Sequence, residues 1–174
     1  MSTTEKLMQK EKELVAVAAS IAGGCLPCTV HHIKTVREAG ASQAEVLGAI
    51  SIALDVRDNA TEIMAEAAQG NLNYEYPGKP RSGSMEQPID DLVAIGAALA
   101  CNSVAGLEYH LTTARAAGVS TRKIQTAMGI ARAIRKEAAE KVDVRIRSLI
   151  EQIQGKAENA ERQKESVPPP CGCS

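Results

Sequence analysis

Apolar residues recur at helical spacing from Leu14 to Ile21 and stop at the Gly23–Gly24 pair, which predicts a first helix ending there. A second helix is expected to begin near Cys25. Pro27 suits its first turn, where a missing N–H costs little, and Gly40 offers a left-handed cap at its end. A third opens at Ser42, because Ser42 and Glu45 make a capping box, and its apolar positions continue to about Gln69. The same order returns later. An apolar run covers Leu92 to Ala100, Gly118 repeats the glycine stop, and Ser120 caps a third helix without an acidic partner, running to about Gln154. No segment alternates as a strand would, so the expected fold is all-α.

The recurrence is a repeat in the strict sense. A shift of 78 residues lays Leu14, Val15, Ala16 and Ala19 on Leu92, Val93, Ala94 and Ala97. It also lays His32, Thr35, Arg37 and Gly40 on His110, Thr113, Arg115 and Gly118, and Arg57 on Arg135, with no gap. Two tandem three-helix repeats follow. The expected organisation is a first repeat over 1–70, a Gly- and Pro-rich linker over 71–88, a second repeat over 89–154 and a polar tail over 155–174, in a single folded domain overall. The recurring arginines suggest ion pairs between helices or subunits.

Composition narrows the picture. The chain has 174 residues, 44% of them hydrophobic, with neither Trp nor Phe and only three Tyr. Ala, Val, Ile and Leu must therefore fill the core, which favours close helix packing. A net charge of −1 gives no grip on nucleic acid or on an anionic membrane. The opening "MSTTEKLMQKEKELV" is charged where a signal peptide is apolar, so a cytoplasmic location is expected. In a reducing compartment a C-x-x-C reads as redox-active or metal-binding rather than as a structural disulfide.

That C-x-x-C lies in "GGCLPCTVHHIK". On a helix starting near Cys25, positions 25, 28 and 32 share one face, so Cys28 and His32 are a turn apart. Cys25, at the helix start, is where partial positive charge favours a thiolate. His31 points about 100° away from His32. A hairpin through the two glycines can lay the first helix along the second, bringing Glu13 to His32 and completing a carboxylate–imidazole–thiol proton relay. Helix electrostatics favour Cys25 as the more acidic thiol, whereas the relay favours Cys28.

The spacing Glu13-x11-Cys25-x2-Cys28-x3-His32 resembles the signature of the alkylhydroperoxidase D type, within the carboxymuconolactone decarboxylase-like superfamily. The resemblance implies an all-helical, two-repeat chain assembled as a homo-oligomer, commonly a trimer. It implies a peroxidase or disulfide reductase working without haem, flavin or metal, and so without a cofactor. It further implies that Cys28 attacks a hydroperoxide and becomes a sulfenic acid, that Cys25 resolves it, and that an external dithiol, a lipoyl protein or thioredoxin-like donor, restores the pair.

Other readings compete. Cys25 and Cys28 can be buried packing thiols, or zinc ligands with His32 and either Glu13 or His31. In the second repeat they become Ser103 and Gly106, while Asp91 and His110 keep the carboxylate and imidazole. That copy reads as scaffold, with His110 structural and Cys101 a small hydrophobe. The tail "PPPCGCS" places Cys171 and Cys173 on a Pro-stiffened arm. It can be a disordered end, an arm that exchanges disulfides with the first pair, or a soft-metal or metalloid site. A lactone-decarboxylating lyase of the broader superfamily would not need the C-x-x-C.

Overall fold

The computed structural model describes residues 6–71 and 88–165. Among them it has six helices and no strand: α1 (Gln9–Ala22), α2 (Leu26–Glu38), α3 (Gln43–Ala68), α4 (Ile89–Ala100), α5 (Val104–Ala116) and α6 (Thr121–Glu165). The fold is all-α, as the periodicity predicts. None of the described helices is long and apolar enough to cross a membrane. Most of the 71–88 segment, with the tail cysteines Cys171 and Cys173, lies outside the described residues. A first compact unit runs to Ala138 and a second begins at Ala139, within α6. The site lies in the first.

One helix end departs from expectation. α6 passes through Gly155 and continues to Glu165 rather than stopping near Gln154. Its last stretch, "KAENAERQKE", is mostly strong helix formers, and a single interior Gly costs only about 1 kcal/mol.

α1 and α4 form the centre of the first unit and share its most extensive helix contact. Leu14, Val15, Val17, Ala18 and Ala19 are buried on α1, as are Leu92, Val93, Ile95, Ala97 and Ala98 on α4. A helix apolar on every side belongs inside. Their approach is close: a Cβ added at Gly96 would lie 2.7 Å from Val15 Cγ1, and one added at Gly23 would lie 3.7 Å from Ala100 Cβ. Middle meets middle and C-terminal end meets C-terminal end, so the two helices run side by side in one direction. α3 packs on both of them, and α6 adds Ile124, Ala127, Ala131 and Ile134, buried at helical spacing.

Each central helix ends in the same hinge. The Gly24 N–H bonds the Ile21 carbonyl at 3.0 Å and the Cys25 N–H bonds the Ser20 carbonyl at 2.9 Å, a Schellman stop with Gly24 at φ +71°. In the second repeat the Ser103 N–H bonds the Ala98 carbonyl at 2.9 Å, and Asn102 takes the left-handed position at φ 61°. Two of the recurring arginines, Arg57 and Arg135, reach these hinges. Arg57 Nη1 donates to the Ile21 carbonyl at 3.2 Å, and Arg135 Nη1 donates to Asn102 Oδ1 at 2.6 Å. Orphan carbonyls and turn side chains at a helix end are natural acceptors for a guanidinium.

Gly96→Ala tests the central contact. Overpacking against the stiff, buried Val15 costs about 1–3 kcal/mol, partly offset by up to about 1 kcal/mol of helix propensity. Urea denaturation should show a net loss of stability. The double variant Val15→Ala/Gly96→Ala should be more stable than the sum of the single changes, because the clash is gone.

Candidate functional site

The hinge that ends α1 also begins α2. Cys25 is the N-cap of α2, and its Sγ accepts from the Cys28 N–H at 3.3 Å. Ser103 plays the same part in the second repeat, its Oγ accepting from the Gly106 N–H at 3.2 Å. The sulfur thus stands where a helix wants a capping oxygen. Cys25 and Cys28 are joined as a disulfide, with Cα atoms 5.3 Å apart, and both residues are buried.

The reversal at the hinge lays α1 against α2 and brings Glu13 to His32. Glu13 Oε2 lies 2.9 Å from His32 Nδ1 and accepts from Thr35 Oγ1 at 2.7 Å, while Glu13 Oε1 accepts from Gln9 Nε2 at 2.9 Å. Burial raises the Glu13 carboxyl, but the bonds from Thr35 and His32, with the His32 and His31 charges, outweigh it and hold the group below its ordinary 4.5. An ionised carboxylate only accepts, so Nδ1 is the nitrogen that carries the proton and Nε2 of a neutral His32 keeps its lone pair. His31 is exposed and meets the His32 ring edge-on, with centroids 5.0 Å apart. The structure therefore pairs Glu13 with His32 across the α1–α2 hairpin and Cys25 with Cys28 at its hinge.

Sequence reasoning missed Thr35. Its signal was present, because Thr35 lies one turn after His32 and recurs as Thr113 one turn after His110. The second repeat reproduces the arrangement: Thr113 Oγ1 donates to Asp91 Oδ1 at 2.6 Å, and His110 Nδ1 lies 3.5 Å from that oxygen. Exposure distinguishes the copies. The side chains of His32 and Glu13 are 17% and 14% exposed, against 5% and 1% for His110 and Asp91. Cys101 is half-buried beside Ala98, and burial pushes its thiol up, away from reactivity. Among the described residues, no group of three or more His, Cys, Asp or Glu is placed to hold a metal ion.

Residues 1–69 match the model of the carboxymuconolactone decarboxylase family. Over 57 residues the chain is 40% identical to the alkyl hydroperoxide reductase AhpD of Corynebacterium kroppenstedtii, a stretch covering 33% of this chain and 33% of that protein. The first repeat is thus similar to the carboxymuconolactone decarboxylase family. The chain spans about a third of that curated relative's length, and the family model falls on the repeat that carries the disulfide.

A depressed Glu13 stabilises the fold only while it is ionised. That contribution is fully present above 4.5, the ordinary value, and is lost as pH falls through the lower folded-state value. Glu13→Gln should therefore be less stable than wild type near about pH 6, with the gap closing towards about pH 3. Unfolding free energies measured across that range check the sign. Thr35→Val should shift the acid-side loss to higher pH.

Proposed function

We propose that this chain is an oxidoreductase that reduces hydroperoxides with the Cys25–Cys28 dithiol, using Glu13 and His32 as proton relay. The observation that carries the reading is the 2.9 Å contact of Glu13 with His32 Nδ1. It leaves Nε2 as the basic nitrogen one helical turn from Cys28.

In the reduced enzyme His32 Nε2 takes the Cys28 thiol proton. The thiolate attacks the terminal oxygen of the hydroperoxide, an S–O bond forms, and the O–O bond breaks. The departing alkoxide takes the proton back from His32 and leaves as an alcohol, so Cys28 becomes a sulfenic acid. Cys25 then attacks that sulfur. The disulfide forms, and hydroxide leaves with the Cys25 proton as water. An external dithiol supplies two electrons and two protons to reopen the pair and becomes a disulfide itself. The donor attacks Cys25 and releases Cys28 as a thiolate; its second thiol then breaks the mixed disulfide and releases Cys25, whose thiolate the start of α2 stabilises. Cys28 thus meets peroxide, and Cys25 meets the donor.

One equivalent of cumene hydroperoxide added to the reduced protein should consume two thiols, and peptide mapping should find them as a Cys25–Cys28 bond. Cys25→Ser should stop at a Cys28 sulfenic acid trapped by dimedone, and Cys28→Ser should not react. His32→Ala should slow the step by about 10²–10⁴-fold, the usual contribution of a general base. A pair that stays reduced would overturn the reading. Lactone decarboxylation surviving both cysteine substitutions would replace it with the lyase.

A further inference from the structure

The two repeats differ at their ends as well as at their cysteines. The 78-residue shift lays Ala68, the last residue of α3, on Ile146 of α6. α6 does not stop there but runs on to Glu165. The added length belongs to the second compact unit, which begins at Ala139. From Ala139 to Gln154 no residue is buried.

This stretch is not polar all round. Val142, Val144, Ile146, Leu149, Ile150 and Ile153 are each between 40% and 67% exposed. Ala139, Val142, Ile146, Leu149 and Ile153 follow one another at steps of three, four, three and four. These are the a and d positions of a heptad, and every one is apolar. That period keeps a single seam turned towards a partner helix. The shared repeat does not account for the seam, because Thr61, Met64, Ala68 and Asn71 stand at the places of Ala139, Val142, Ile146 and Leu149. A helix draws most of its stability from packing its apolar face, and a contiguous exposed apolar surface marks a place where another chain sits.

Charge narrows the occupant. Over residues 139–154, Glu140, Asp143 and Glu151 balance Lys141, Arg145 and Arg147, and none of the six stands at a or d. A stretch without net charge has no pull towards an anionic lipid surface, and two copies of it do not repel. The seam is also self-complementary. Its aliphatic knobs fit the holes that the same residues form on an identical helix.

We propose that this seam of α6 packs against the same seam of a second copy of the chain as a short coiled coil. Ile150, at the e position, widens the contact, whereas Val144, at f, faces away from it. The inference assigns contact between copies to a stretch of α6 that takes no part in the dithiol chemistry, and it stands apart from the peroxide-reducing reading.

The test is sedimentation equilibrium of the full chain across a dilution series, with a reductant present so that no disulfide links the copies. Ile146→Glu and Ile153→Glu each put a charge into the seam, where burial opposes it. Val144→Glu makes the same kind of change on the outer face. Glu is a strong helix former, so all three variants keep the helix, and circular dichroism checks that they do. The wild type should associate. Each seam variant should raise the concentration at which half the chains are associated by about tenfold or more, and Val144→Glu should shift it less than about twofold. A wild type that is monomeric throughout would overturn the proposal. So would seam variants that associate like the wild type, or a Val144→Glu variant that weakens association as much as they do. None of these outcomes bears on the dithiol reading, which the thiol count decides.

Discussion

The contact between α1 and α4 sets everything else. Two helices lacking any large aromatic side chain lie so close that Gly96 has room for no more than hydrogen against Val15. Small residues allow that approach, and close-packed interiors reward it, since each atom at contact distance adds attraction and a gap forfeits it. Because the pair runs in one direction, both C-terminal ends emerge together, with Gly23 beside Ala100. Both hinges, and the helices they launch, are placed by that alignment.

Each hinge then has local work to do. A left-handed residue stops the central helix, and the residue after it caps the next one. In one repeat those residues are Gly24 and Cys25, in the other Asn102 and Ser103. Serine is the better cap, and a sulfur in its place gives up some helix stability. Cysteine there makes sense as chemistry: it holds one thiol at the positive end of α2 and the other three residues on. The carboxylate–imidazole–threonine knot does not depend on the thiols, because the thiol-free copy keeps it as a clasp between α4 and α5. The first repeat has the same clasp, less deeply buried, on a hairpin whose hinge carries the disulfide.

Much of this was legible in the residues. Gly23–Gly24, Gly40, Ser42 and Gly118 punctuate the chain by backbone rules that need no tertiary context. The fixed spacing from Glu13 to His32 becomes a contact as soon as the hairpin closes. The end of α6 was misread because a glycine in a run of strong helix formers is a weak stop. Arg57 and Arg135 are legible in the sequence as recurring charges, but their bonds to hinge carbonyl and amide oxygens appear only in the structure. Thr35 was visible only as a repeated letter until its hydroxyl was seen on the Glu13 carboxylate.

By itself, then, the sequence determined the helices, the twofold repeat and the meeting of Glu13 with His32 across the first hairpin. These follow from local periodicity, capping and helical spacing, which act over a few residues. Only the tertiary structure decided that α1 and α4 lie side by side, that two donors of α2, Thr35 and His32, hold the Glu13 carboxyl below its ordinary value, and that residues of α6 line a cleft with His32. The first relay being open and the second sealed belongs to the same category. Burial and cavities come from side chains distant in sequence, and their sizes follow from how the helices pack rather than from any spacing along the chain.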